Sequence, residues 1–432
     1  MGLIPMMAMA DMLRLLVLFW AGATAGSCIN LGVYRLAWRQ RSLSPWSAPS
    51  AGALPRRWTD RIPIFGWLAL RRETPLHGRG FWIRPLLVEL VTGLLLAGLY
   101  DLEIGSHPAR VWMSGAVAPA AHFLSGNLGW VLHAQYLSHV ILICLMLTAS
   151  LIDIDEKTIP DAITVPGTLI GLALAACYPW SLLPAGFWMV QELPQVEFLT
   201  FVSPQEWPAG LDGLPLGKGL AVALGCWSLW CVGLMPRRWT LRRGWRMALR
   251  IFVHRLRVEA MTYAMLLLWF LGAAAIALFS ALAGEAHWVG LLTALVGMAA
   301  GGGLVWFVRI VGTAALRREA MGFGDVTLLA MIGTFVGWQG ALLVFFLAPF
   351  AGLVIGLTQW IFHGEHEIPY GPFLCMAALG VVVKWAAVWE WGLGIFQMGE
   401  LVPLLMAGCL GLMGGMLWIY RIVRDLLMGS AS

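Results

Sequence analysis

A long apolar run that ends in carboxylates indicates the fold class of this chain. Residues 140–161 read VILICLMLTASLIDIDEKTIPD, so an almost uninterrupted apolar stretch meets Asp153 and Asp155 and then the turn signal Ile159-Pro160. Residues 321–325 read MGFGD and set a second carboxylate, that of Asp325, at the edge of another apolar segment. Because a carboxylate near hydrocarbon is costly, both groups are candidate functional residues.

The composition is that of a membrane protein. Of the 432 residues, 60% are hydrophobic and only 12% are charged, whereas soluble domains carry about 25% charged residues. Several apolar runs exceed the roughly 20 residues that cross a bilayer as a helix. The sequence therefore predicts an all-α polytopic transmembrane bundle in contact with membrane lipids. The net charge of +5 is concentrated in a few arginine-rich loops and does not indicate nucleic-acid binding.

The apolar runs predict eleven transmembrane spans, of which 325–338 is short. Ten arginines lie in 35–84 and eight in 236–257, whereas 182–216 contains four acidic residues and no Lys or Arg. By the positive-inside rule we expect a multi-pass membrane protein with the N-terminus outside and the C-terminus in the cytoplasm. Asp153 and Asp325 then both lie at cytoplasmic ends of spans. The predicted spans are 14–36, 85–101, 130–152, 162–181, 217–235, 261–283, 287–311, 325–338, 340–361, 372–390 and 401–423.

The chain divides loosely into two regions. Residues 1–130 hold two predicted spans and the basic loop, and residues 131–432 hold both acidic motifs. We predict an insertion around 186–260. Within it, residues 236–260 alternate arginines with large apolar residues, which predicts either an amphipathic helix on the anionic inner leaflet or an ordinary connecting loop.

Two carboxylates can hydrolyse a peptide bond without a metal when they share one proton. One activates water as a base, and the other donates a hydrogen bond to the scissile carbonyl. A single Asp at a helix end is more often a cap, so the prediction of an aspartic protease depends on the pair Asp153 and Asp325. Gly322 and Gly324 are expected to allow close backbone approach, and Pro160 is expected to fix the start of the next helix.

The motifs resemble those of the type IV prepilin leader peptidases, which are membrane aspartic proteases with a GxGD motif. In that family the first aspartate lies seven residues before the Pro of an Ile/Leu-Pro-Asp/Asn turn, which selects Asp153 over Asp155. The second aspartate ends the GxGD motif at Asp325. Segments 26–36, 60–68, 83–90 and 368–373 resemble further family motifs in the same order. The resemblance implies cleavage of the short basic leader of prepilin-like or pseudopilin precursors at the cytoplasmic face, with no cofactor for the peptidase.

The basic loop departs from the family pattern. Most members carry two CxxC pairs there, which are thought to hold zinc. The corresponding residues here are 43–47 and 73–77, and neither contains cysteine. We therefore predict no metal site. The family often also methylates the new N-terminus of its product with S-adenosylmethionine, and the altered loop leaves this second activity open. Trp46, Trp58, Trp67 and Trp82 are expected to order the loop in place of the metal.

Two other classes of function stay open at this point. An ion-coupled transporter or channel would carry its acidic residues near the middle of the bilayer, in broken helices. An inactive relative would bind prepilins and assemble a secretion machine without cleaving them. The sequence does not reveal the precursor that is cleaved, the oligomeric state, or which aspartate is the acid and which the base.

Overall fold

A computed structural model describes residues 3–41, 43–49, 52–104, 127–190, 193–204, 216–235, 260–316, 319, 321–363 and 369–429. Its architecture is a bundle of helices with one small β-hairpin, which confirms the predicted all-α fold. The helices are α1 Leu3–Leu36, α2 Phe65–Leu70, α3 Thr74–His77, α4 Ile83–Glu103, α5 Asn127–Glu156, α6 Asp161–Cys177, α7 Leu216–Leu234, α8 Ala260–Leu282, α9 Glu285–Leu316, α10 Phe323–His363, α11 Gly371–Val383, α12 Trp385–Phe396 and α13 Leu401–Gly429. The hairpin pairs β1 Pro184–Val190 antiparallel with β2 Leu193–Phe198.

Seven helices within the described part of the chain are long and apolar enough to cross a membrane, or eight if the bent pair α11–α12 counts as one span. The shorter helices α6 and α7 are also apolar. The core forms where α9 and α10 pack together and where α10 contacts α6 and α11. The most buried side chains of this core include Ile152, Leu328 and Ile332.

The chain of α10 reverses at Gly337. This glycine has a positive φ of 71° that breaks the helix, a conformation that residues with a Cβ rarely adopt. A Cβ added at Gly301 of α9 would meet the carbonyl oxygen of Leu329 at 2.5 Å and the Cβ of Ala341 at 3.4 Å. Residues twelve apart in a straight helix would be about 18 Å apart, so 323–336 and 338–363 run as two antiparallel legs. This explains the sequence prediction of separate spans at 325–338 and 340–361.

The predicted span 372–390 is wrong as a straight segment. Helices α11 and α12 are bent by 98° at Lys384, which lies between them. The indole N–H groups of Trp385 and Trp389 donate to the carbonyl oxygens of Pro184 and Ala185, at 2.6 and 2.8 Å. Helix α12 therefore packs against the start of the hairpin, and the straight part of the predicted span ends at Val383.

Part of the predicted insertion packs on the same end of the bundle as the Gly337 reversal. The side-chain amide of Gln339 donates to the carbonyl oxygens of Thr200 and Ser203, and Trp338 donates to that of Phe201. Helix α7 packs against α8 and α9. The predicted amphipathic segment 236–260 lies outside the described residues, apart from Ala260 at the start of α8, as do Arg317 and Arg318.

Buried ion pairs, rather than a group of tryptophans, hold the basic loop. Asp60 is fully buried and its carboxylate accepts two hydrogen bonds from the Arg72 guanidinium, at 2.9 and 2.5 Å. Glu73, which occupies the position of the second cysteine pair, is buried and pairs with Arg56. Of the four tryptophans expected to order the loop, only Trp67 is fully buried, whereas Trp46 and Trp58 are exposed and Trp82 is half-buried.

One buried carboxylate joins this loop to the helices. Glu89 of α4 is 1% exposed and accepts hydrogen bonds from the Ser27 hydroxyl at 2.6 Å, the Ile64 backbone N–H at 2.5 Å and the Trp67 indole N–H at 2.8 Å. A buried carboxylate is tolerated only when its oxygens are satisfied. The three donors come from α1 and the loop, so Glu89 fixes the loop against α1 and α4.

Candidate functional site

The first candidate aspartate lies in the last turn of α5. The helix ends because Lys157 has a positive φ of 54° and its N–H donates to the carbonyl oxygen of Asp153 at 2.8 Å. The side chain of Asp153 is buried, and its carboxylate accepts a hydrogen bond from the backbone N–H of Gly371 at the start of α11. A Cβ at Gly371 would stand 2.5 Å from an oxygen of Asp153. Glycine is therefore required here for the carboxylate to reach the backbone.

The second candidate aspartate lies in the first turn of α10. Asp325 is buried, and its carboxylate accepts a hydrogen bond from the backbone N–H of Gly322. Arg309 of α9 holds the segment that precedes it, because its Nε donates to the carbonyl oxygen of Met321 at 2.9 Å and its guanidinium lies over the Phe323 ring at 5.7 Å. A negative charge at a helix N-terminus is favoured by the helix dipole.

Asp153 and Asp325 line one open cavity of about 590 Å³, which we call the aspartate cavity. The turn between α5 and α6, the GxGD segment and the start of α11 form its walls. Its lining also includes Lys157, Thr158, Ile159, Asp161, Met321, Gly322, Phe323, Gly324, Pro369 and Tyr370. Two carboxylates from different helix ends thus face a space large enough for water and a peptide segment.

The neighbouring acidic residues have structural partners. Asp155 forms an ion pair with Arg84 at 2.6 Å, and Arg84 also donates to the carbonyl oxygen of Leu151. The Glu156 carboxylate accepts hydrogen bonds from the backbone N–H groups of Trp38 and Arg39 at 2.6 and 2.7 Å. Both residues tie α5 to the N-terminal region, which supports the selection of Asp153 over Asp155.

The supporting residues Pro160, Gly322 and Gly324 shape the backbone around the two aspartates. Pro160 is the N-cap of α6 rather than its first residue, and its carbonyl oxygen accepts the N–H of Ile163 at 3.0 Å. A Cβ at Gly324 would meet the Cβ of Ile159 at 2.8 Å, so this glycine lets the GxGD segment approach the α5–α6 turn. A Cβ at Gly322 would be 3.5 Å from the Asp325 carboxylate, an ordinary contact. Gly324 is therefore required for close packing against the α5–α6 turn, whereas Gly322 contributes its backbone N–H to the Asp325 carboxylate.

Three residues of the site were not among those selected from the sequence. Gly371 and Tyr370 belong to the late motif whose resemblance was noted, but the sequence did not show that this motif meets the aspartates. Arg309 was given no role from the sequence. Its spacing before the GxGD motif gave no indication that it would bind the Met321 carbonyl oxygen.

Among the described residues, no group of three or more His, Cys, Asp or Glu side chains is placed to hold a metal ion. The predicted absence of zinc stays a prediction, because the measurement that decides it is an elemental analysis.

The chain matches two protein-family models. Residues 259–357 match the type IV leader peptidase family, and residues 20–101 match the bacterial peptidase A24 N-terminal domain. The two matches together cover less than half of the chain, and in these two regions the chain is similar to the type IV leader peptidase family. The first match contains Asp325 with Gly322 and Gly324, whereas Asp153 lies between the two matched regions. The family matches and the apolar helices together indicate a multi-pass membrane protein.

Relatives named "Prepilin leader peptidase/N-methyltransferase" are similar to parts of the chain. The protein of Myxococcus xanthus strain DK1622 is 30% identical over 159 residues, which cover 37% of this chain and 39% of the relative. That of Aeromonas salmonicida strain A449 is 30% identical over 117 residues, or 26% of this chain and 39% of the relative. These matches span about two fifths of each relative. The Xanthomonas campestris protein is 23% identical over 336 residues, covering 76% of this chain and 68% of the relative. No solved structure matches the chain.

Proposed function

We propose that this chain is a membrane-embedded aspartic endopeptidase that cleaves the basic leader of type IV prepilin-like or pseudopilin precursors. The observation that carries this proposal is the shared cavity: Asp153 and Asp325 reach it from two different helix ends and are held there by the N–H groups of Gly371 and Gly322. The family match and the names of the relatives support the substrate class.

The proposed reaction needs only water and the two carboxyl groups, one ionised and one neutral. The ionised carboxylate takes a proton from water as the water oxygen bonds to the scissile carbonyl carbon, and the neutral carboxyl gives its proton to the carbonyl oxygen. In the second step the carboxyl that took the water proton gives it to the amide nitrogen, the other carboxylate takes a proton from the geminal diol, and the C–N bond breaks as the carbonyl forms again. Since the pair titrates as a unit, neither residue is assigned a fixed role.

The proposal includes the placement of the protein in the membrane. We infer that the end of the bundle with the aspartate cavity faces the cytoplasm, with the N-terminus outside and the C-terminus inside, in a bacterial inner membrane. The arginine-rich segments support this orientation. We keep the division into residues 1–130 and 131–432, with an insertion around 186–260, as part of the same proposal.

Methylation of the new N-terminus is not part of the proposed function. A second cavity of about 690 Å³ adjoins the aspartate cavity and is lined by the end of α1, the basic loop and the α5–α6 turn. Two of its carboxylates, those of Asp155 and Glu156, are already engaged by Arg84 and by backbone N–H groups. Mass spectrometry of the product made by this enzyme alone, with S-adenosylmethionine added, decides the point. A methylated first residue would add the second activity.

The test of the peptidase is co-expression of the full chain with a pilin-like precursor, followed by electrophoresis of the precursor. Asp153→Asn and Asp325→Asn should each abolish cleavage while the protein stays in the membrane, because the carboxylates act together. Asp155→Asn should keep most of the activity. Normal cleavage by the Asp153→Asn protein would refute the assignment. If the wild-type chain bound the precursor without cleaving it, the inactive assembly protein would be the correct alternative.

A further inference from the structure

The start of α11 contacts Asp153 and contributes to the cavity that also contains Asp325. The backbone N–H of Gly371 donates to the Asp153 carboxylate. The preceding residue, Tyr370, is half-buried and lines the aspartate cavity, and the negative charge of Asp325 acts on its hydroxyl group. A phenol group thus lines the same cavity as the two carboxylates.

The hydroxyl of Tyr370 is available to a ligand. Within the described part of the chain it has no hydrogen-bond partner, although Tyr136 and Tyr100 use their hydroxyls to contact Leu96 and His133. Burial, and to a lesser degree the charge of Asp325, raise the pKa of Tyr370 to about 12. The group therefore keeps its proton at neutral pH and can act there as a hydrogen-bond donor.

The other cavity residues are less suited to donate to a substrate carbonyl. Lys157 is engaged in an interaction of its own. An ionised carboxylate, whether that of Asp161 or that of the pair, only accepts hydrogen bonds. The proton-bearing side chains that remain are the neutral carboxyl of the pair and the hydroxyls of Thr158 and Tyr370. Thr158 is exposed, whereas Tyr370 is half-buried and directly precedes the glycine that holds Asp153.

We propose that the Tyr370 hydroxyl donates a hydrogen bond to the carbonyl oxygen of the scissile peptide as it gains negative charge. This inference rests on the proposed peptidase function and deepens it. No proton leaves the phenol: the proton on the carbonyl oxygen comes from the neutral carboxyl group. Tyr370 is then a second donor aimed at the oxygen on which charge develops, which is the kind of contact that is stronger in the transition state than in the ground state.

The competing interpretation is that Tyr370 only packs its ring at the start of α11. Tyr370→Phe separates the two, because it removes the hydroxyl and keeps the ring. Kinetics are measured with the purified full chain in detergent and a synthetic precursor peptide whose basic leader ends in glycine. Tyr263→Phe is the matched control, since Tyr263 is exposed on α8.

The expected result is a fall in kcat on the order of 10- to 100-fold, with KM changed by less than about twofold. The pH–rate profile should keep its shape, because the phenol transfers no proton. The melting temperature should match the wild type, and Tyr263→Phe should retain full activity. A kcat within twofold of the wild type, a rise in KM alone, a lost limb of the pH profile or a lower melting temperature would each overturn the proposal. An active Asp325→Asn protein would instead refute the peptidase assignment itself.

Discussion

Replacing Asp60 by Asn should open the basic loop without touching the aspartate cavity. Asp60 lies in the loop that lacks the cysteine pairs, and its carboxylate is 0% exposed. It accepts two hydrogen bonds from the Arg72 guanidinium and one, at 2.8 Å, from the backbone N–H of Arg57. Asn keeps the shape of the side chain but removes its charge and replaces one acceptor oxygen by an NH₂ group that faces a donor.

The size of the effect follows from the burial of the two partners. Removing one partner of a buried ion pair lowers the stability of the fold by about 3–5 kcal/mol. The Arg72 side chain is 21% exposed, so water can partly replace the lost carboxylate. We therefore expect a loss of about 2–4 kcal/mol in the free energy of local opening. At about 1.4 kcal/mol per factor of ten, this increases the population of the open loop by about 30- to 700-fold.

Hydrogen exchange measured by mass spectrometry on the purified protein reports this opening for peptides within 52–82. The matched control is Asp11→Asn, which removes an ion pair with Arg14 whose side chains are 65% and 49% exposed. Exposed pairs contribute at most about 1 kcal/mol, so the control should exchange like the wild type. If exchange in the loop of the Asp60→Asn protein rose less than threefold, the ion pair would not be what holds the loop.

Three further outcomes are expected. First, acid should open the same loop, because the Arg72 hydrogen bonds hold the pKa of Asp60 below its ordinary value. The stabilisation of the loop by Asp60 is complete above about pH 4 and is lost as the pH falls through the lowered pKa. Hydrogen exchange at low pH should show this loss in the wild type and not in the Asp60→Asn protein. Second, Gly371→Ala should reduce cleavage at least tenfold, because the added methyl group would meet the Asp153 carboxylate. The control Gly380→Ala adds a methyl group in open space on the same helix and should not reduce cleavage. Equal activities of the two variants would contradict the close approach of Gly371 to Asp153. Third, elemental analysis of the purified protein should find no stoichiometric zinc, and one zinc per chain would refute the prediction.

The long helices were predictable because each depends on a local apolar run of the chain. The spans 325–338 and 340–361 were predicted separately from their apolar runs, whereas the positive φ of Gly337 that separates them is seen only in the structure. The bend at Lys384 was not visible. It depends on hydrogen bonds from Trp385 and Trp389 to a hairpin that lies 200 residues earlier in the chain, and no local pattern reports such a contact.

The same distinction applies to the candidate site. Asp153 and Asp325 could be selected because the resemblance fixes their spacing from a proline and from two glycines. The partners of these carboxylates come from elsewhere in the chain: Gly371 follows Asp153 by more than 200 residues, and Arg309 precedes the motif on a different helix. Which side chain faces a cavity is decided by how the helices rotate against each other, which sequence spacing alone does not fix.

The basic loop shows how one structural task can be met by different chemistry. The sequence indicated that the metal clamp was missing, and Glu73 stands where the second cysteine pair would be. Arg56 pairs with it there, and His77 lies 3.5 Å from the other carboxylate oxygen. A thiolate–metal clamp loses its hold when a chelator removes the metal, whereas paired carboxylates lose theirs when they are protonated. The loop of this chain should therefore be insensitive to chelators and sensitive to acid, and that pair of responses distinguishes the two ways of holding it.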